Sequence, residues 1–63
     1  VTVNNYKVRL LFAGGTYKHK WFDSERAARQ WAEDELKRAR VTVPDDKSLG
    51  ADCTYYGAPV FNI

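Results

Sequence analysis

Apolar and polar residues alternate with a period of two on both sides of a glycine pair, and then change to a period near four. Tyr6, Val8, Leu10 and Phe12 alternate with Lys7, Arg9 and Leu11; beyond Ala13-Gly14-Gly15-Thr16 the chain continues Tyr17-Lys18-His19-Lys20-Trp21. Successive side chains of a strand point to opposite faces, and a glycine pair between two such runs predicts a tight hairpin. With Gly14-Gly15 as a two-residue loop, Phe12 pairs with Tyr17, Leu10 with His19, Val8 with Trp21 and Arg9 with Lys20. His19 and Trp21 then lie on the core face, while Lys7, Arg9, Lys18 and Lys20 share the outer one. A slip of one residue would turn Lys18 and Lys20 into the core, so the hydrophobic pattern selects this pairing.

The period of four begins after Phe22. Ala28, Trp31, Ala32, Leu36 and Ala39 form one apolar stripe and predict an amphipathic helix from Glu25 to Arg40. Either Asp23 or Ser24 can cap it; Asp23 is preferred because Phe22 and Ala27 then occupy staple positions. Glu25–Arg29, Glu33–Lys37 and Asp34–Arg38 each place an acid four residues before a base on the opposite face. Val1 to Asn5 reads as a lead-in with a turn at Asn4-Asn5, and Pro44 to Asp52 as a polar loop. The tail predicts a third strand at Thr54 to Tyr56 and a fourth at Val60 to Asn62, with Pro59 suited to an edge. The expected fold is α+β: a small antiparallel sheet of three or four strands with one amphipathic helix packed on one face, in β-β-α-β order. Residues 1–63 are expected to form a single small domain.

A chain of 63 residues buries only about 60% of its unfolded surface, so large aromatic side chains carry much of the core. One cysteine, Cys53, excludes an internal disulfide and suits a reducing, cytoplasmic setting. There is no apolar run of membrane-spanning length and no signal-peptide pattern.

Catalytic chemistry finds little to work with. His19 is the sole histidine, and nothing along the chain brings it to Cys53 as a base would need to be. One His and one Cys fall short of a zinc set, and no helix follows Gly14-Gly15 to make a phosphate cradle. No catalytic residue, metal or cofactor is expected, and the chain reads as non-enzymatic.

Charge changes the picture more. The net charge is only +2, yet the span from Tyr6 to Trp21 holds no Asp or Glu. A sheet face of Lys7, Arg9, Lys18 and Lys20, with Leu11 and Thr16 adding shape contacts, offers cations for phosphates and apolar atoms for bases. The bland reading of such a face is a solvated surface kept charged for solubility. DNA is the leading partner on this pattern. The alternative is a protein partner held by Tyr55, Tyr56 and Phe61, since aromatic residues anchor protein interfaces. An exposed edge at that aromatic tail could also pair two copies as a homodimer.

Phe22, Ser24, Ala27, Ala28 and Trp31, following a basic hairpin, resemble a family pattern. It belongs to the small sheet-plus-helix DNA-binding domains at the N-terminus of phage and transposon integrases, which are similar to the plant ethylene-response domain. The resemblance spans Tyr6 to Leu36, about half the chain. It implies an accessory protein whose exposed sheet face docks in the major groove through Lys7, Arg9, Leu11, Lys18 and Lys20. The chain is also similar, in size and element content, to small phage proteins that inhibit host enzymes such as RNA polymerase.

Overall fold

The computed structural model describes residues 5–63, and the lead-in expected at Val1 to Asn5 lies almost wholly outside them. The protein is an α+β domain with elements in the order β1 (Tyr6–Phe12), β2 (Gly15–Phe22), α1 (Glu25–Thr42), β3 (Gly50–Tyr55) and β4 (Ala58–Asn62). The strands form one antiparallel sheet in the order β2-β1-β3-β4. The expected class is therefore found, with the third strand beginning earlier than anticipated and the fourth as its hairpin partner.

Helix α1 crosses one face of the sheet and packs mainly on β1 and β3. Its buried residues are Ala28, Ala32, Leu36 and Ala39, a stripe of three small side chains and one large one. Opposite it, Val8 and Leu10 of β1 and Ala51 and Cys53 of β3 are fully buried or nearly so. Trp31, expected on this stripe, is half-buried at its margin, where its ring meets Phe22 at 5.7 Å between centroids.

The N-cap is Ser24 rather than Asp23. Its extended backbone (φ −146°, ψ 150°) lets Oγ accept the Ala27 N–H at 3.2 Å, satisfying one of the free donors of the first turn. At the other end the helix runs to Thr42, past Arg40, and the Val43 N–H closes it on the Ala39 carbonyl at 2.8 Å. Pro44 forbids a further turn. On the outer face Asp34 accepts from Gln30 Nε2 at 3.2 Å, and at the flank of the helix Arg38 leans on Glu35 at 3.7 Å.

The polar loop after the helix is tied to the hairpin tip through Asp46. Its Oδ2 accepts the Ala13 N–H at 3.2 Å, while Oδ1 accepts the Ser48 N–H at 3.0 Å and the Ser48 hydroxyl at 2.7 Å. The Ser48 hydroxyl is the chief cause holding the Asp46 carboxyl below its ordinary range, with the Ala13 and Ser48 N–H groups adding to it against some desolvation.

The β1–β2 hairpin departs from its expected register in two steps. The two-residue loop is Ala13-Gly14, one position early, and Gly15 opens β2 at φ +118°, a backbone that favours glycine. Leu11 pairs with Thr16 and Phe12 with Gly15 near the turn, but Leu10 pairs with Lys18, so Tyr17 is an extra residue in a β-bulge. Beyond it Arg9 faces His19, Val8 faces Lys20, Lys7 faces Trp21 and Tyr6 faces Phe22. Moving the loop by one residue preserves the faces; the bulge reverses them.

Like-charge repulsion supplies the reason. The expected ladder sets Arg9 directly against Lys20, an unfavourable pairing. In the observed ladder Lys7 lies over the Trp21 ring at 5.7 Å, and Lys18 reaches a carboxylate of the helix. The predicted penalty for lysine on the core face does not arise, because β2 lies at the margin of the helix and every residue from Gly15 to Trp21 is exposed.

Candidate functional site

The sheet face turned away from α1 is left open by the described residues. Its central strand supplies Lys7, Arg9 and Leu11, and the pairing fixes what stands beside each. Lys7 lies between Trp21 of β2 and Thr54 of β3; Arg9 lies between His19 and Asp52; Leu11 lies between Thr16 and Gly50. Trp21 is 49% exposed, and His19 is exposed as well. Gly50 suits its place because a Cβ there would stand 3.0 Å from the Ile63 carbonyl oxygen.

Arg9 is held by Asp52 of the neighbouring strand. Its Nε donates to Oδ1 at 3.0 Å and its Nη2 to Oδ2 at 2.6 Å, a two-point contact that fixes the guanidinium plane. That hydrogen bonding, aided by the Asp52 charge, raises the Arg9 pKa further above its ordinary value. The Nη1 edge is outside both bonds and points the remaining donors away from Asp52. The face is thus not free of acids, as the hairpin alone suggested: β3 brings Asp52 to its centre.

Four of the six expected contact residues, Lys7, Arg9, Leu11 and Thr16, share this face. Lys18 and Lys20 do not. Both lie on the helix side of β2, where Lys18 Nζ contacts Glu35 Oε2 at 2.7 Å and stands 5.8 Å from the Trp31 ring. Lys20 Nζ stands 5.5 Å from the Phe22 ring. Their stems run along aromatic surface, and the Lys18 head ends on the helix carboxylate. His19 and Trp21, expected in the core, take their places on the open face.

No family model, curated protein or solved structure matches this chain. Its own geometry therefore carries the functional reading. The warning sign in the sequence was the Arg9–Lys20 pairing that the expected ladder required. A register free of that repulsion puts the Trp21 and His19 rings outside.

The aromatic tail is divided in a similar way. Tyr55 ends β3 and meets Tyr6 at 4.6 Å between ring centroids, and Tyr56 meets Tyr55 edge-on at 4.6 Å. Tyr56 is a turn residue, not part of the strand; it is 73% exposed at φ +51°, and its hydroxyl accepts from Asn5 Nδ2 at 2.7 Å. Phe61 is separate from them. It faces Cys53, packs against the core and is covered by the Arg29 guanidinium at 4.7 Å.

Cys53 and His19 lie on opposite faces of the sheet. The thiol is fully buried beneath α1, and burial, more than the nearby Glu25 and Asp52 charges, pushes its pKa up. Such a thiol is protonated and shielded, the opposite of an activated nucleophile. No helix of the described residues is long and apolar enough to cross a membrane.

Proposed function

We propose that this domain binds nucleic acid, DNA foremost, through the open sheet face formed by Lys7, Arg9, Leu11, Thr16, His19 and Trp21. The observation that carries the reading is the Lys7–Trp21 pair, a cation 5.7 Å from a half-exposed indole on an uncovered sheet. A cation beside a planar ring provides for phosphate and base together. Arg9, paired with Asp52, adds N–H donors of fixed direction. Binding of this kind needs no catalytic group and no cofactor, in keeping with the non-enzymatic accessory role that the sequence suggested.

The test is a titration of labelled protein with mixed-sequence DNA, both as duplex and as separated strands, followed by NMR at low and then at physiological salt. The expected result is shifts confined to Lys7, Arg9, His19 and Trp21 and their neighbours, weakening steeply as salt rises. Shifts absent from every form of DNA at low salt would overturn the reading.

A second reading, a protein-binding inhibitor or adaptor, is favoured by Tyr56. An exposed aromatic side chain tethered by Asn5 in a left-handed turn has the fixed, amphipathic character of an interface anchor. Phe61 adds little to it, being packed under Arg29. Loss of binding to a purified host partner on Tyr56→Ala, with DNA binding unchanged, is the result expected of this second reading.

A further inference from the structure

The cation–aromatic pairing on the open face repeats. Trp21 faces Lys7 across the β1–β2 ladder, and two residues along, His19 faces Arg9. The two rings project from one edge strand and the two cations from its neighbour, in register. Two residues of strand separate the backbone positions that carry the rings by about 6.7 Å. Bases stacked in a duplex strand rise about 3.4 Å per nucleotide, so no two adjacent stacked bases match that spacing. A strand whose bases are drawn apart does match it, with one base for each ring.

Charge points the same way. Duplex DNA presents one phosphate charge per about 1.7 Å of axis, and proteins that dock on it answer with many cations. This face offers Lys7 and an Arg9 whose charge Asp52 already balances, while Lys18 and Lys20 are turned to its other side. Little is left for a dense phosphate lattice, whereas exposed rings favour unpaired bases, whose faces are free to stack. Being on the outermost strand, Trp21 and His19 are reachable from the side as well as from above.

We infer that the ligand of this face is a single-stranded nucleic acid, two consecutive bases stacking on Trp21 and His19 while their phosphates are met by Lys7 and the Nη1 edge of Arg9. The inference rests on the proposed nucleic-acid function and names the form of ligand that face takes. The contacts are to base faces and phosphates, chemistry that DNA and RNA strands share.

The whole chain is titrated with short oligothymidylate, with oligouridylate, and with a mixed-sequence duplex of equal length. Binding is read by NMR at the indole N–H signals of its two tryptophans, Trp21 and Trp31. The single strands are expected to bind at least about tenfold more tightly than the duplex, moving Trp21 and leaving Trp31 in place. Trp21→Ala is expected to weaken single-strand binding about tenfold or more, and Trp21→Phe to recover most of it, since any ring can stack. With Arg9 already paired to Asp52, Lys7 is the chief phosphate-neutralising charge, and a shallow salt slope between about −0.7 and −1.4 is expected. Trp21 lies outside the core, so an unchanged amide spectrum elsewhere certifies the fold of both variants. A difference between oligothymidylate and oligouridylate identifies the natural strand within the same chemistry. Duplex binding equal to or tighter than single-strand binding overturns the inference and leaves the nucleic-acid function standing. Failure of all three ligands overturns both.

Discussion

Leu10 and Lys18 stand opposite each other in the β1–β2 ladder, the first buried and the second ending on Glu35 at 2.7 Å. A charge is tolerated beside a core residue because the helix covers β2 less than it covers β1, and the lysine stem continues the apolar surface as far as Trp31. Lys18→Met, which keeps the stem, is expected to stay within about 0.5 kcal/mol of the parent in urea unfolding. Lys18→Glu, which sets a second acid against Glu35, is expected to lose about 1 kcal/mol. Equal stability of the two variants would show that the ion pair has no part in placing β2.

Ligand binding separates the two faces of that strand. Lys7→Glu reverses a charge on the open face and is expected to weaken nucleic-acid binding about tenfold or more. The double change of Lys18 and Lys20 to Gln lowers the net charge by the same two units, but on the helix side, and is expected to cost no more than a few-fold through the general field alone. Titration of both variants at one salt concentration decides it; the reverse ranking would return the binding surface to the helix side.

The core depends on few large side chains. Leu36 is the one bulky residue that α1 buries in the core it shares with Val8 and Leu10 of β1, the rest of the buried stripe being alanine. Leu36→Ala is expected to cost about 2–5 kcal/mol, which is as much as a domain of this size commonly has. Loss of dispersed amide resonances at room temperature is the expected signature, and a cooperative melt close to the parent's would contradict this account of the core.

Helix entry gives a contrast between neighbours. Ser24→Ala removes the acceptor for the Ala27 N–H and is expected to lower stability by about 1 kcal/mol. Asp23→Ala is expected to change it by less than about 0.5 kcal/mol, since no cap bond is lost. Chemical denaturation of the pair reads the difference directly.

Acid should loosen the tie between hairpin tip and loop. Folding lowers the Asp46 pKa, through Ser48 first and Ala13 with it, so its contribution is complete above the ordinary carboxyl value of 3.8. It is lost as pH falls below that value through the lower, folded one. The stability gap between the parent and Asp46→Ala is therefore expected to be constant near neutrality and to close on the acid side. A gap that persists in acid would mean that the carboxylate charge has no share in the tie.

The helix and the α+β class were legible because long-period and short-period patterns occupy separate stretches of the chain. Ala28, Ala32, Leu36 and Ala39 announce a buried face whatever lies beneath them. The open face was harder to read, since its composition depends on whether β2 carries an even or odd number of residues between the turn and Lys18. Alternation in Tyr17-Lys18-His19-Lys20-Trp21 shows that lysines share one side and rings the other, but it does not say which side meets the helix. Burial would normally decide, and on a strand exposed on both faces burial has no vote. Asp52 was missed for a different reason. It belongs to a strand whose start was placed too late, and only the β1–β3 pairing carries it to Arg9.

The bulge at Tyr17 has a bearing on how this surface can change over generations. Replacing a residue alters the open face by one side chain and leaves its neighbours in place. Adding or removing a residue within β2 acts on the whole strand at once, because an unaccommodated change of length exchanges rings for lysines from that point to Phe22. Point substitution therefore tunes affinity gradually, whereas a single codon gained or lost can convert an aromatic surface into a basic one in one step.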